Sequence, residues 1–440
     1  MIRHKIGFRW LPVMALAVFG MAGCSSDSGI FDVKNPGKIL DEDLNTVRGV
    51  KALVTGMSAD FSVGYDDVSF LVARLGGEVA GSGSYFSTGR YRRGLMDSED
   101  ASGYFGSVNR ARWVAEAGIQ RMQKIEGFTF DGNELTARAY LFAGLANRWY
   151  GENFCDGAVI FSAPFETDDG TLKTKADAFN RAVPELEAAI SQGTQAGRSD
   201  IVTAAHGALA DVQAWLGNWS AAVTEAAQVP TDFEYDAIYS DNSSRENNVI
   251  WNESQGRYEI SAFGSLAGTY GKGDPRTPWT DCTVSTDCTA KNGADGQTPH
   301  YRQEKYPQRG SDIPLVKGTT ARLLEAENAL RNGDLSGAMA KINEARAFYG
   351  LGPLTSDGTI GSITGDVNSM SGWDILDRER ALTTWLEGRH LWDLHRWDHP
   401  FLNGGGVVYE ATVDRRASCI PIADSECQTN PNAAGKCFTS

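Results

Sequence analysis

Two stretches of this chain combine flat aromatic rings with planar polar groups. Tyr85, Phe86, Arg90, Tyr91 and Arg92 lie in the first, and Trp251, Tyr270, Trp279, Tyr301 and Tyr306 in the second. Aromatic rings offer a flat apolar face to a sugar, and Tyr and Trp add a polar tip. Arg adds a fork of donors suited to hydroxyl oxygens. Tyr85, Phe86, Arg90, Tyr91, Trp251, Trp279 and Tyr301 are therefore the expected ligand-binding residues. The competing account, that each ring merely anchors its own loop, applies to every one of them.

A third cluster, Glu387, Arg389, Asp393 and Arg396, has the look of a catalytic centre. Arg389 and Asp393 are four apart and Asp393 and Arg396 three apart, so both pairs can form on one helix. Buried ion networks give the same pattern without chemistry, and we read these four as a structural ion network. His395 and His399 flank Asp398 and make a metal site conceivable, but there is no His-Glu-x-x-His arrangement. A solvated helix end is the plainer expectation for them. Asp97, Glu99 and Asp100 read as an acidic turn, whereas a glycosidase needs two carboxylates about 5–10 Å apart across a cleft. No Gly-x-Ser-x-Gly elbow and no P-loop occur. No catalytic residue, metal or cofactor is expected.

The ends of the chain say where it works. Arg3, Lys5 and Arg9 precede an apolar run from Trp10 to Met21, followed by Ala22 and Gly23. That is the pattern of a secretory signal peptide over residues 1–23. The run falls short of the about 20 apolar residues that a spanning helix needs. Met21-Ala22-Gly23-Cys24 resembles the lipobox of bacterial lipoproteins, which makes Cys24 the expected lipid anchor and residues 24–40 a tether. Ser25 follows Cys24, where Asp in proteobacterial lipoproteins favours the inner membrane. The net charge of −15 argues against nucleic acid as a partner, because phosphate binding needs a basic surface.

Beyond Cys24 six cysteines remain: Cys155, Cys282, Cys288, Cys419, Cys427 and Cys437. An even number in an oxidising compartment points to disulfides. Cys282 with Cys288 is the first expected pair, and one of Cys419, Cys427 and Cys437 is expected to reach Cys155. No Cys-x-x-Cys spacing suggests zinc.

The elements that must position these residues are mostly helical. Asp41 or Asp43 can cap a helix running to about Phe61, with Leu44, Val47, Val50, Val54 and Met57 at helical spacing. Helices are also expected over Val108–Met122, Leu135–Tyr150, Lys175–Ser191, Val202–Leu216, Trp219–Gln228, Thr319–Arg331 and Leu335–Phe348. Loop-rich inserts fall at about 64–104 and 231–316, within one domain over 41–440. Leu216-Gly217-Asn218-Trp219-Ser220-Ala221-Ala222 can be laid on Asn332-Gly333-Asp334-Leu335-Ser336-Gly337-Ala338, the local signature of a tetratricopeptide-type helix pair. The pairs are not contiguous, so a regular solenoid is not expected. At the C-terminus, Leu382, Trp385, Leu386, Arg389 and Trp392 would line one helical face.

The run Glu379-Arg380 … Glu387-Gly388-Arg389 … Asp393-Leu394-His395-Arg396-Trp397 resembles the RagB/SusD family of outer-membrane nutrient-binding lipoproteins. Phe31-Asp32-Val33 … Asn35-Pro36-Gly37 is similar to that family's start. Thr320–Glu327 with Ala338 … Ile342–Arg346 is similar to its late repeat, and Ile420-Pro421-Ile422 … Asn430-Pro431 to its ending. The resemblance implies a mostly α fold of tetratricopeptide-like helix pairs with a loop-rich, ligand-binding remainder. It implies a lipid-anchored protein exposed at the cell surface of the outer membrane, with no catalysis. Its expected partners are an oligosaccharide or other nutrient and a TonB-dependent, SusC-like transporter to which the nutrient is delivered. The rival readings are a lipid-anchored glycoside hydrolase and a helical-repeat scaffold or filament subunit.

Overall fold

A computed structural model describes residues 41–161, 170–403 and 415–438. The signal peptide, Cys24 and the tether lie outside the described residues. Residues 44–440 form one compact unit.

The helices follow the apolar periodicity of the sequence, with local signals setting their ends. The first, α1, runs from Val50 to Leu75 and not from Asp41 to Phe61. Asp41–Asn45 is a short 3-10 turn, and Gly49 is the N-cap. The helix continues because Tyr65, Val68, Leu71, Val72 and Leu75 extend the same buried face. A short helix, α2, spans Phe86–Arg92. The next, α3, spans Ser98–Met122 and starts at a capping box: Asp97 accepts from the Asp100 backbone N–H, and Asp100 accepts in return. The expected loop over 64–104 is thus largely helical. Its Gly and Ser content hid two amphipathic segments that only burial reveals.

Then come α4 (Glu134–Asn153), α5 (Lys175–Gln195), α6 (Ser199–Trp215) and α7 (Trp219–Ala226). Two single-turn helices, α8 (Val249–Trp251) and α9 (Leu266–Thr269), lie in the second insert. The chain ends with α10 (Gly318–Arg331), α11 (Leu335–Phe348), α12 (Gly372–Thr383), α13 (His390–Arg396) and α14 (Asp424–Thr429). Helices α1, α3, α4, α5, α6, α7, α10 and α11 pack each on the next, and α12 packs on both α10 and α11. Helices α4 and α5 approach closely: a Cβ on Gly144 would stand 2.6 Å from Leu186. The two aligned stretches form matching turns. Gly217 between α6 and α7 and Gly333 between α10 and α11 both have φ +79, and Ala222 and Ala338 are fully buried at equivalent places.

Strands are short and paired in twos, all antiparallel. β1 (Ala80–Gly81) pairs with β5 (Ile260–Ser261), and β2 (Val159–Ile160) with β3 (Leu172–Lys173). β4 (Glu234–Ala237) pairs with β8 (Ile313–Lys317), and β6 (Trp279–Asp281) with β7 (Tyr301–Gln303). Disulfides join Cys155 to Cys419, Cys282 to Cys288 and Cys427 to Cys437. Of the three C-terminal cysteines it is Cys419 that meets Cys155, because Phe154 bridges to Ile420 in parallel.

Candidate ligand-binding surface

The two inserts that carry the aromatic residues meet through the β1–β5 ladder, where Ala80 faces Ser261 and Gly81 faces Ile260. Ser82 N–H donates to Glu259 O at 2.9 Å, and Asp295 N–H to Ser82 O at 2.9 Å. The approach is close enough to need glycine: a Cβ on Gly83 would fall 1.6 Å from a Glu259 carboxylate oxygen. This ladder brings residues about 175 apart in sequence into one surface, through the register alone.

Tyr85 and Phe86 open α2 beside that ladder and are 54% and 83% exposed. The Arg257 guanidinium lies 5.1 Å from the centre of the Tyr85 ring and also bonds the Tyr85 hydroxyl. Glu253 holds Arg257 from the other side at 3.1 Å. Arg257 follows a π-turn over Asn252–Gly256 and precedes Tyr258, which has φ +58. Both features recur at functional sites, and a non-glycine residue there costs roughly 1–2 kcal/mol. Arg257 and Tyr258 were missed from the sequence. Nothing in a Tyr or its neighbours announces a left-handed backbone.

Trp279 and Tyr301 stack, with ring centres 4.6 Å apart and planes 4° apart. Their strands β6 and β7 set them diagonally on one face. The Trp279 indole N–H donates to Ala267 O at 3.0 Å, and Phe263 meets Tyr301 edge-on at 5.2 Å. Tyr301 O accepts from Ala262 N–H, which ties the stack to β5. Each ring spends one face on the other and stays half-buried. Trp251 is further along: its indole donates to Pro307 O at 3.1 Å and Arg309 lies over its ring at 5.0 Å.

Arg90 and Tyr91 do not join this surface, which corrects the expectation for them. Arg90 bonds Asp97 at 2.7 Å and Asp100 at 3.1 Å, steadying the start of α3. Tyr91 is buried, its hydroxyl donating to Asp100 at 3.1 Å and its ring lying 4.8 Å from Arg74. The cause is the helix at 86–92, which turns these two side chains inward. Tyr306 is also buried, its hydroxyl donating to Leu386 O.

In the C-terminal cluster Glu387, Arg389 and Asp393 are buried and Arg396 is partly buried. The expected continuous helix breaks after Thr383, where Leu386 (φ +60) and Gly388 (φ +68) turn the chain before α13. Arg389 therefore does not pair with Asp393, since the i,i+4 spacing helps only inside a helix. Arg389 instead reaches Glu152 on α4 at 3.3 Å and Asp211 on α6 at 3.0 Å. Asp393 pairs with Arg396 at 2.9 Å and with Arg380 on α12 at 2.7 Å. Arg396 clasps Glu327 on α10, and Glu387 takes Lys305 and Lys317 at 2.7 and 2.6 Å. Burial pushes the Glu327 carboxyl up, but Arg396 outweighs it and holds it at about 2. The cavity beside Glu387 and Arg389 is only about 10 Å3, room for one water. This network clamps helices together.

The histidines are also interior, against the expectation of a solvated helix end. His395 lies between Lys175 and Ser418, and burial with the Lys175 charge pushes it down to about 4. His399 bonds Asp377 at 3.0 Å. Among the described residues no three His, Cys, Asp or Glu side chains could hold a metal ion. A recess of about 820 Å3 runs between the first half of α1 and β4. None of the aromatics picked from the sequence lines it. Phe142 and Tyr239 line it and are buried, the Tyr239 hydroxyl donating to Ser62 O, and Tyr235 on β4 lines it half-buried.

Residues 320–432 match the SusD family model. Among solved structures, a SusD superfamily protein from Bacteroides fragilis is 13% identical, with 88% of this chain and 99% of that one covered at a TM-score of 0.65. A SusD-like carbohydrate binding protein from Bacteroides vulgatus is 14% identical over 88% of this chain and 97% of that one, at 0.60. A laminarin binding SusD-like protein is 16% identical over 86% and 97%, at 0.55. No curated protein matches the chain in sequence. The chain thus has the SusD/RagB fold along nearly its whole length, and over residues 320–432 it matches that family in sequence.

Proposed function

We propose that this protein captures a glycan at the cell surface and hands it to a TonB-dependent, SusC-like transporter in the outer membrane. The carrying observation is the ladder that joins Tyr85, Phe86 and Arg257 to the Trp279–Tyr301 stack. Rings and planar donors on a rigid, mostly preformed surface suit a neutral oligosaccharide. The structural likeness to proteins described as carbohydrate binding and laminarin binding supports the reading. Cys24 would carry the lipid, and no described helix is long and apolar enough to cross a membrane. Binding without hydrolysis is the expected mode, because the buried carboxylates near the C-terminal motif are committed to cations.

The test is a glycan array and calorimetry on the chain from Ser25 onward, with a pull-down for the transporter. Binding of a polysaccharide that weakens at least about tenfold in Phe86→Ala is the expected result, as for loss of one stacked ring. Release of shorter sugars from the bound polysaccharide would establish the hydrolase instead. Cys24→Ala should be recovered as soluble protein after export.

A further inference from the structure

A second cavity lies apart from the aromatic surface, at the end of α1. Gly76, Gly77, Leu266, Tyr270, Leu394 and Phe401 contribute its largely apolar wall. Three titratable side chains also line it: Asp377 on α12, His390 at the start of α13, and His399. Its volume is about 80 Å3, several times what one water needs.

The polar groups there are not all spent. His399 donates to one Asp377 oxygen at 3.0 Å while its other ring nitrogen accepts the Phe401 N–H at 3.0 Å, which fixes its tautomer. The other Asp377 oxygen is buried with no hydrogen-bond partner among the described residues. His390 is nine-tenths buried, and among the described residues its Nδ1 also has no partner. Burial lowers the His390 pKa, so the ring is neutral and can accept a hydrogen bond. Leaving buried polar atoms unpaired is costly, and a ligand donating to them would recover that cost.

We propose that this cavity binds a single pyranose sugar, its hydroxyls donating to Asp377 and His390 and its C–H face resting on Phe401 and Leu394. Among the described residues no Lys or Arg lines the cavity, which gives a phosphate or carboxylate no counter-charge there. The apolar wall excludes a strongly hydrated ion. The choice of a sugar over another hydroxylated ring rests on the glycan reading above. One structural link favours it: α9 gives Leu266 and Thr269 to the cavity, Tyr270 directly after it does so too, and Ala267 of the same helix accepts the Trp279 indole N–H. Tyr270, 39% exposed and covered on one face by Arg378 at 4.8 Å, lies between solvent and the cavity.

The experiment is saturation-transfer NMR on the chain from Ser25 onward with D-glucose, D-galactose, D-mannose and D-xylose, and with phenol as the rival ring. At least one sugar should give a signal. Asp377→Asn should weaken it at least about tenfold, the loss expected for a hydrogen bond to a charged group. Ala381→Met, which fills the cavity without touching a polar group, should abolish it. Phe86→Ala should leave it unchanged while weakening polysaccharide binding. No signal from any sugar, saturation by phenol alone, or a sugar signal that survives Ala381→Met in a folded variant would each overturn the proposal. Absence of polysaccharide binding by the unsubstituted protein, with the monosaccharide signal present, would count against the aromatic surface and leave the cavity standing.

Discussion

Glu327 shows how much one residue can carry. It is fully buried, clasped by Arg396, bonded by Arg331 at 2.8 Å and by the Trp397 indole at 3.0 Å. Its pKa falls from 4.5 to about 2, because Arg396 outweighs the burial that would raise it. A depressed folded pKa means stability that is present above about pH 4.5 and lost as the pH falls towards 2. By linkage this amounts to about 3 kcal/mol. Glu327→Gln should lose roughly 3–5 kcal/mol at pH 7 in urea unfolding, the usual result of breaking a buried pair, and its acid limb should flatten. Glu78 has the opposite sign. Burial pushes it up to about 8, although it accepts the Leu386 N–H. Its contribution is present at low pH and lost as the pH rises through 8. Glu78→Gln keeps an acceptor for that N–H and should gain stability over the parent above pH 8, with little difference below pH 4. Phe86 is 83% exposed, so Phe86→Ala should change stability by less than about 0.5 kcal/mol. A larger loss of stability would make it a packing residue.

At the scale of elements, the break between α12 and α13 decides where the C-terminal charges point. Gly388 enables it, with φ +68 and a site for Cβ only 2.5 Å from both Ser69 Oγ and a Trp149 ring carbon. Gly388→Ala combines a left-handed backbone, roughly 1–2 kcal/mol, with overpacking, roughly 1–3 kcal/mol. Gly217 between α6 and α7 has φ +79 and open space around a Cβ, so Gly217→Ala should bear only the backbone cost. Urea unfolding of the two variants should therefore separate them by about 1–3 kcal/mol, and equal losses would show that the close approach at Gly388 does not matter. The helix repeat at these turns was legible because Gly after the last helical turn and a small residue on the packed face are local signals. The break was not, because Leu386 at φ +60 is fixed by contacts with Glu78 and Tyr306 from far along the chain.

For the whole molecule, the disulfides differ by what they close. Cys155–Cys419 spans 264 residues and ties α4 to the C-terminal segment, whereas Cys282–Cys288 spans 6 within one loop. In the chain-entropy model the first contributes about 5–6 kcal/mol and the second about 2. The paired Cys155→Ser and Cys419→Ser variant should therefore lose clearly more thermal stability than the Cys282→Ser and Cys288→Ser pair. Equal losses would show that the long loop is already held by packing. The ion network acts at the same scale: Arg389, Arg396 and Glu387 reach α4, α6, β8 and α10, so the C-terminal motif is the bolt that joins early and late helices.

Sequence alone determined the helical class, most helix positions from Val108 onward, the matching Gly turns at 217 and 333, and the family resemblance. It did so because these rest on short-range periodicity and capping. It also marked Tyr85, Phe86, Trp279 and Tyr301 as rings in loops. Only the tertiary structure decided which rings face solvent: Tyr91 turns inward with α2, and Arg257 and Tyr258 come forward through a π-turn and a left-handed residue. It alone decided that Arg389 answers Asp211 rather than Asp393. Such choices are made where segments far apart in sequence meet, as Ala80 meets Ser261, and a contact of that kind leaves no local mark in either segment.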